Sequence, residues 1–287
     1  MNTNWNTLVD APALSAVLGD PGVRLVDARF VMLNAAPDAG RQAYAHSHLP
    51  GAVYADLNLD LSDLSKVGEG RHPLPDSDVL ARRLGEWGIG PEHQVVVYDA
   101  GDGSMAAARL WWLLRLMGHP RVAVLDGGLA AWRVMGGEET AEVAAPPPVA
   151  AYPSRMDGRQ LVSADEVLDR LDEDSGWLVD ARAAERFRGD VEPIDPVAGH
   201  VPGALNRPFA QNLREGRFKP AEELRLELSS LLGARAPGDT VLMCGSGVTA
   251  CHLLLAFEHA GLRGARVYPG SWSGWISDPS RPVTRGD

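Results

Sequence analysis

The sequence predicts an α/β protein built from two tandem domains, each with a mainly parallel sheet flanked by helices. Three observations predict this class. Short apolar runs alternate with longer stretches of helical periodicity, several short motifs occur twice in the same order, and 287 residues suffice for two domains with cores of their own.

The alternation of strand and helix patterns runs through both halves. In the first half, the apolar runs at residues 95–98 and 122–125 flank a helical stretch at 105–117. In the second half, an apolar run at 178–180 precedes a helical stretch at 221–232. Such alternation is typical of parallel strands joined by crossover helices.

The repeated motifs indicate duplication of a whole domain. Leu-Val-Asp-Ala-Arg occurs at 25–29 and 178–182, His-aliphatic-Pro-Gly-Ala at 48–52 and 200–204, and a looser Gly- and Trp-containing motif at 127–132 and 270–275. The offset changes only from 153 residues (27 to 180) to 143 (127 to 270), far longer than a solenoid repeat.

A connector separates the halves. Residues 136–158 contain Pro146, Pro147, Pro148 and Pro153 and lack helix or strand periodicity, which is the composition of a semi-rigid linker. We therefore expect a first domain at 1–140, a linker at 141–158 and a second domain at 159–287.

Composition restricts the compartment and the partners. Two cysteines give no disulfide framework, and no basic and apolar leader is visible at the N-terminus, so we expect a cytoplasmic protein. The net charge of -11 argues against binding of nucleic acid or an anionic membrane, and no apolar run is long enough to cross a bilayer.

The chemistry is predicted at Cys244, which ends the apolar run 241–243 and precedes a helix. A cysteine at a helix N-terminus faces unpaired N–H groups and the positive end of the helix dipole, which favours the thiolate. Gly245 and Gly247 allow the loop to turn successive N–H groups inward. The pattern indicates a nucleophile in an anion cradle at the carboxyl end of a strand.

Alignment of the two halves places Asp99 opposite Cys244. An aspartate has no sulfur and would bring negative charge into the cradle. We therefore expect the first domain to be catalytically silent.

On these residues the chain resembles two-domain sulfurtransferases of the rhodanese superfamily over nearly its whole length. The loop at 244–250, Cys-Gly-Ser-Gly-Val-Thr-Ala, is similar to that of the 3-mercaptopyruvate branch, whereas the thiosulfate branch typically has Arg and Lys where this chain has Gly245 and Ser246. A loop without these cations suits a monocarboxylate bound elsewhere, and two cations would suit thiosulfate.

The resemblance implies a double displacement without a cofactor or metal. Cys244 would take sulfur from 3-mercaptopyruvate, or from thiosulfate as the alternative, and pass it from a persulfide to cyanide, a small thiol or a protein thiol such as a thioredoxin-like protein. Ser246 would be a second catalytic residue. The resemblance implies that loop N–H groups bind the substrate and stabilise the anionic sulfur, at Gly245, Gly247, Val248 and Thr249.

Arg186 matches the position of the arginine that binds the anionic end of the donor in this family, and Arg188 is a second candidate. The mercaptopyruvate branch usually has another arginine several residues later. Here the stretch 192–196 reads Glu-Pro-Ile-Asp-Pro, so a grip by two arginines is in question.

The resemblance also implies a relay from the first half to Ser246. His72 and Asp56 lie in the matching region, with Asn58 where an acid would be expected. Such a relay could protonate the enolate of pyruvate, and a merely structural His72 is the alternative. His48 and His200 occur in both repeats, which favours a structural role.

Other readings of the same residues remain open. A phosphatase loop would need an arginine at position 250, which is Ala250, and a metal site is disfavoured because Cys251 and His252 point along different helix faces. A non-catalytic rhodanese pair that binds an anion or a partner is a further alternative, disfavoured by Cys244. We predict core or scaffold roles for the residues Cys251, Asp180, Arg182, Trp272 and Trp275.

Overall fold

The computed structural model describes residues 3–31, 36–150, 152–153, 155–173 and 175–286. The chain forms two compact units, the first of Met1–Asp63 and Pro75–Asp157 and the second of Leu64–Leu74 and Gly158–Asp287. The second unit begins where the predicted linker ends. The segment Leu64–Leu74, however, belongs to the second unit, unlike the contiguous first domain predicted from sequence. Within the predicted linker, Ala151 and Ser154 lie outside the described residues.

The first unit has a five-stranded, fully parallel sheet in the order β1-β5-β4-β2-β3. Its elements are β1 (Leu8–Val9), α1 (Ala11–Ser15), β2 (Val23–Asp27), α2 (Ala39–His46), β3 (Ala52–Tyr54), α3 (Ser77–Glu86), β4 (Gln94–Tyr98), α4 (Ala106–Leu116), β5 (Val122–Leu125) and α5 (Gly128–Val134).

The central strand and the longest helix of this unit are almost completely buried. All five residues of β4 are buried, as expected for an inner parallel strand covered on both faces. Helix α4 buries ten of its eleven residues and contributes Trp111 and Trp112 to the core. This burial fixes the sheet and the loops that follow its strands.

The second unit has a four-stranded parallel sheet in the order β11-β10-β6-β7 and a separate antiparallel pair, β8 and β9. Its elements are α6 (Ala164–Asp169), β6 (Leu178–Asp180), α7 (Ala184–Arg188), β7 (Leu205–Asn206), β8 (Leu213–Arg214), β9 (Arg217–Phe218), α8 (Ala221–Leu232), β10 (Val241–Met243), α9 (Thr249–His259), β11 (Arg266–Val267) and α10 (Ser271–Trp275). Short 3₁₀ turns cover Gly158–Gln160, Phe209–Asn212 and Pro237–Asp239.

The two sheets share one topology, which confirms the predicted α/β class and the duplication. The order β5-β4-β2-β3 corresponds to β11-β10-β6-β7. The edge strand β1, which pairs with β5, is reduced in the second unit to a single parallel bridge between Leu161 and Val267. No helix within the described residues is long and apolar enough to span a membrane.

The repeated motifs build the same scaffold twice. Arg29 and Arg182 each hydrogen-bond the aspartate two residues before, Asp27 and Asp180, and all four side chains are buried. The equivalent histidines also act alike. Nδ1 of His48 lies 2.6 Å from the Tyr44 carbonyl oxygen, and Nδ1 of His200 lies 2.8 Å from that of Phe187, with each ring stacked on the same partner's ring.

The tryptophans of the last repeat lie in the core of the second unit, as predicted. Trp272 and Trp275 are fully buried. Their indole N–H groups donate to the carbonyl oxygens of Val197 and Pro282, both at 2.9 Å. These bonds satisfy the one polar atom of each ring, so both residues can pack as apolar groups.

Candidate active site

Cys244 directly follows β10, an inner strand of the second unit's sheet, and only 1 % of its surface is exposed. Its carbonyl oxygen accepts from the N–H of Trp272, and that of Gly245 accepts from the N–H of Ser273, both at 2.9 Å. The C=O and N–H of one trans peptide point in opposite directions. The N–H groups of Gly245 and Ser246 therefore face away from α10.

The backbone of Cys244 is also held by a serine. Its N–H donates to Oγ of Ser271 at 3.1 Å, and that hydroxyl lies 3.0 Å from the Tyr268 carbonyl oxygen. Ser271 has φ 51°, a left-handed conformation that is unusual for a residue with a side chain. The backbone of Cys244 is thus held by a residue in a strained conformation.

Gly247 makes the turn from this loop into α9. Its φ is +76°, and a Cβ at this position would lie 2.3 Å from the Pro269 carbonyl oxygen, so only glycine fits. Val248 is buried and precedes Thr249, the first residue of the eleven-residue α9. The first N–H groups of such a helix favour an anion at its start.

Cys251 is fully buried in α9, which confirms the predicted core position. Its Sγ lies 3.1 Å from the Gly247 carbonyl oxygen, a contact in which the thiol hydrogen is the donor. Cys251 therefore stabilises the loop through the backbone of Gly247.

His72 approaches the loop from the segment Leu64–Leu74, which belongs to the same unit as Cys244. Its Nδ1 lies 2.8 Å from Oγ of Ser246, and the serine is buried. The structure thus brings together the His72 imidazole and the Ser246 hydroxyl that the sequence analysis names. Ser246 follows Cys244 and Gly245 in the chain.

Asp56 belongs to the first unit, where its carboxylate caps a turn. Oδ1 accepts the N–H groups of Asn58 at 2.9 Å and of Leu59 at 3.2 Å. The backbone N–H of Asp56 donates to Asp60. Participation of Asp56 in a relay therefore stays a prediction.

Arg186, on α7, is held by two buried carboxylates. Its Nη2 lies 2.7 Å from Oε1 of Glu192 and 3.1 Å from Oδ2 of Asp195, and its Nε lies 3.2 Å from both oxygens of Glu192. Burial alone would raise the pKa of Glu192. The hydrogen bonds from Arg186 and from the N–H groups of Asp195 and Ile194 outweigh it, so the pKa lies below its ordinary value.

Arg71 is the residue that the sequence reasoning missed. Its Nη1 is hydrogen-bonded to Oδ1 of Asp195, and its backbone N–H donates to Oγ of Ser273 at 3.0 Å. The one sequence signal was its place beside His72. Arg71 is far from Arg186 and Cys244 in sequence, so no local pattern links them.

Both arginines converge on Gly245. A Cβ at Gly245 would lie 3.0 Å from Nη2 of Arg71 and 3.5 Å from Nη1 of Arg186. The loop itself has no cation, but two guanidinium groups from elsewhere lie against it. The positive charge beside positions 245 and 246 therefore comes from Arg71 and Arg186.

Arg188 does not share this position. Its Nε donates to Oδ2 of Asp190 at 2.8 Å, and its side chain is 36 % exposed. The three described atoms nearest to a Cβ on Gly245 come from Arg71 and Arg186. In the structure Arg188 thus forms a surface ion pair, and its atoms are not among the three nearest to a Cβ on Gly245.

The scaffold arginine Arg182 supports the same group. Besides its pairing with Asp180, its Nη1 lies 3.6 Å from Oε2 of Glu192, and its guanidinium lies 4.7 Å from the ring centroid of Trp272. Buried carboxylates need such compensation. The repeated Asp-Ala-Arg element therefore also anchors Glu192.

The equivalent loop of the first unit is filled by its own aspartate. Oδ1 of Asp99 accepts the N–H groups of Gly101 at 3.1 Å and of Gly103 at 3.0 Å. Burial raises the pKa of this carboxyl to about 6. The carboxylate takes the loop N–H groups that an anion would otherwise use.

The second unit thus gathers four kinds of chemistry at one loop. It offers a cysteine sulfur next to a helix start, two guanidinium groups, a serine hydroxyl and an imidazole. No group of three or more His, Cys, Asp or Glu side chains suited to a metal ion occurs within the described part of the chain. The arrangement suits nucleophilic attack on a sulfur atom of an anionic molecule.

Comparison with known proteins gives matches over both halves. The family model of the Rhodanese-like domain matches residues 10–134 and 163–278. A Pseudomonas aeruginosa protein, provisionally named 3-mercaptopyruvate sulfurtransferase, is 46 % identical over 283 residues, 98 % of each chain. The 3-mercaptopyruvate sulfurtransferase of Escherichia coli K12 is 33 % identical over 99 % of each chain.

A Mycobacterium tuberculosis protein, SseB, provisionally named thiosulfate sulfurtransferase, is 40 % identical over 100 % of this chain and 99 % of its own. Among solved structures, that of Escherichia coli SseA, described as a 3-mercaptopyruvate sulfotransferase, superposes with a TM-score of 0.80 at 32 % identity. The match covers 94 % of this chain and all of SseA.

Proposed function

The chain belongs to the rhodanese family and is a sulfurtransferase, and from this premise we propose that Cys244 carries the transferred sulfur as a persulfide. The observation that supports this best is the convergence of Arg71, Arg186 and the Ser246–His72 pair on the loop that Cys244 begins. We propose 3-mercaptopyruvate as the donor, in keeping with the names of the relatives that match the full chain.

In the first half-reaction, the Cys244 thiolate attacks the sulfur of 3-mercaptopyruvate. An S–S bond forms, the C–S bond breaks, and its electron pair stays with carbon as the enolate of pyruvate. Arg186 binds the donor carboxylate through charge-assisted hydrogen bonds. The N–H groups of the loop and of the start of α9 stabilise the negative sulfur.

The leaving enolate needs a proton, and we propose that His72 and Ser246 deliver it. With 2.8 Å between Nδ1 and Oγ, a proton can pass along this pair. With thiosulfate as donor the leaving group is sulfite, which has no carbon atom to protonate. We therefore expect His72→Asn to lower turnover of 3-mercaptopyruvate by about 10²- to 10⁴-fold and that of thiosulfate much less, measured side by side. Equal losses with both donors would contradict the relay.

In the second half-reaction, an acceptor nucleophile attacks the outer sulfur of the persulfide. Cyanide then leaves as thiocyanate and a thiol as its own persulfide, and the Cys244 thiolate is regenerated. A small thiol or a thioredoxin-like protein in the cytoplasm fits this step, because both present a nucleophilic thiolate. The equivalent loop of the first unit would carry no sulfur, since Asp99 stands there at the position of the cysteine.

Thiosulfate is the second candidate donor. The two guanidinium groups near Gly245 favour it, because they supply the positive charge that a dianion requires. Its reaction with Cys244 gives the same persulfide and releases sulfite. The proposed intermediate is therefore independent of the donor.

Intact-mass measurement after mixing with donor tests the proposal. The wild-type chain should gain the mass of one sulfur and lose it again on addition of cyanide. Cys244→Ser should gain nothing, while Cys251→Ser, which keeps Cys244, serves as the matched control. Sulfur uptake by Cys244→Ser, or none by the wild type with either donor, would refute the persulfide at this residue.

A further inference from the structure

Arg71 and Arg186 are held by the same carboxylate. Nη1 of Arg71 and Nη2 of Arg186 bind the two oxygens of Asp195. A Cβ on Gly245 would lie 3.0 Å from Nη2 of Arg71 and 3.5 and 3.7 Å from Nη1 and Nη2 of Arg186. Each guanidinium is thus held by Asp195 and also lies beside the loop that begins at Cys244.

Asp195 and Glu192 act as the fixed support of this pair. Both side chains are only 3 % exposed, whereas Arg71 is 32 % and Arg186 16 % exposed. The two guanidinium groups compensate the burial of the two carboxylates. The support also fixes both guanidinium planes in advance, so binding of a ligand costs little further ordering.

Resting on the proposed function, we infer that Arg71 is a donor-binding residue that acts with Arg186 on the anionic end of the sulfur donor. The pair takes an oxyanion, a carboxylate or a sulfonate, joined through one or two atoms to a transferable sulfur that points at Cys244. Arg71 supplies the second arginine that the stretch 192–196 lacks. Glu192 and Asp195 of that stretch hold the two arginines by ion pairs instead.

Gly245 fits this assignment. Its φ is not in the left-handed region, so an alanine is sterically allowed by the backbone. The nearest atom that a Cβ would meet is the flexible end of Arg71, at 3.0 Å. Absence of a side chain at 245 therefore keeps room for the guanidinium of Arg71 beside the loop.

Steady-state kinetics with 3-mercaptopyruvate and with thiosulfate, using cyanide as acceptor, tests the inference. Arg71→Ala and Arg186→Ala should each lower kcat/KM about 10- to 100-fold, mainly through donor KM, the effect of one lost charge-assisted hydrogen bond. Arg188→Ala, on the same helix as Arg186 but paired with Asp190, is the matched control and should change little. A rise in KM for one donor alone supports the inference and identifies whose anionic end the pair binds.

A second readout separates binding from structure. Discharge of a preformed Cys244 persulfide by cyanide should be unchanged in Arg71→Ala, because the donor has already left. If the alanine variant does not fold, Arg71→Lys and Gly245→Ala replace it. The first keeps the charge without the planar fork and the second displaces the guanidinium, so both should raise donor KM.

Unchanged donor KM in folded Arg71 variants, or an equal loss in Arg188→Ala, overturns the inference. So does slowed discharge of the persulfide at unchanged donor KM. In each of these cases the mass gain on wild-type Cys244 still stands and the proposed function with it. Failure of the wild type to gain sulfur is the separate result that would remove the proposed function itself.

Discussion

Ser271 shows at the scale of one residue how the two copies have diverged. Its φ is 51°, and Gly128, the equivalent residue of the first unit, has φ 52°. Both precede a residue whose N–H donates at 2.9 Å to the carbonyl oxygen at the cysteine position, Cys244 in one unit and Asp99 in the other. Only the second unit has a side chain here, and its hydroxyl accepts the N–H of Cys244.

We predict that Ser271→Gly and Ser271→Ala differ in stability. Both remove the hydroxyl, which leaves the buried N–H of Cys244 without this acceptor at a cost of about 1–3 kcal/mol. Alanine also keeps the left-handed strain, worth about 1–2 kcal/mol, which glycine relieves. In urea denaturation the glycine variant should therefore be the more stable by about that strain, while sulfur transfer falls in both. Coincident unfolding midpoints would contradict the strain at this residue.

Residues of the site differ in how far sequence could reveal them. Cys244 lies in a local pattern whose chemistry follows from residue type and order, whereas the expected roles of Ser246 and Arg186 follow from the resemblance to the family. Arg71 could not be found in this way, because its partner Asp195 lies 124 positions away and only the tertiary fold joins them. In the sequence, Glu192 and Asp195 stand only as acids in a stretch where an arginine is expected. That they form ion pairs with Arg186 and Arg71 follows only from the structure.

At the scale of the element, the loop between β10 and α9 is fixed from two sides. Cys251 donates to the Gly247 carbonyl from within α9, and Pro269 closes against the Cα of Gly247. Shortly after the end of the same helix comes another left-handed glycine, Gly261, with φ +77°. A Cβ at this position would have no atom within 4 Å. The two glycines therefore share a conformation but not a surrounding.

We predict that Gly247→Ala destabilises the chain more than Gly261→Ala does. Both substitutions place a side chain in the left-handed region, which lowers the free energy of unfolding by about 1–2 kcal/mol. Gly247→Ala adds the clash with Pro269, about 1–3 kcal/mol, and should abolish most sulfur transfer because the loop must shift. Thermal or urea unfolding and a thiocyanate assay measure both effects. Equal unfolding free energies and equal activities would show that the loop tolerates the Cβ.

Element boundaries could be predicted only in part. The inner strands β4, β6 and β10 stand out as apolar runs because both faces of a parallel sheet are buried. Strands of two residues, such as β7 and β11, leave no periodicity to detect. Their existence depends on the registers with β6 and β10, which are tertiary properties.

At the scale of the whole molecule, the two units handle charge at equivalent loops in opposite ways. The first unit places its own carboxylate, Asp99, on the loop N–H groups. The second leaves a sulfur at the position of Asp99 and brings arginines to it from other elements. The N–H groups of the first loop are therefore bound by a side chain of the loop itself, whereas the second loop has a sulfur at that position.

This difference predicts a pH-dependent stability that Asp99→Asn removes. The pKa of Asp99 is about 6 when folded against an ordinary value of 3.8, so the folded chain binds this proton more tightly. Its contribution is full below about pH 4 and is lost as pH rises through 6, on the order of 3 kcal/mol in total. Relative to wild type, Asp99→Asn should gain that much stability between pH 4 and 7.5 in urea titrations. Asp102→Asn, in the same loop, should weaken the trend, because the charge of Asp102 also raises the pKa of Asp99. Identical pH trends for wild type and Asp99→Asn would contradict the shifted pKa.

The duplication and the sheet class were legible from sequence because they rest on repeated local patterns. The assignment of Leu64–Leu74 to the second unit was not. Nothing in its composition marks it as foreign to the first repeat, and the contacts of Arg71 and His72 that place it there are made by residues more than 100 positions later.

That segment ties the proposed site to the sequence of the first repeat. Arg71 and His72 are encoded within the repeat that carries Asp99 opposite Cys244. A deletion of the first repeat would also remove these two residues, and a gene split at the repeat boundary would separate them from Cys244. We therefore expect a chain reduced to the second repeat alone to lack two groups of the proposed site.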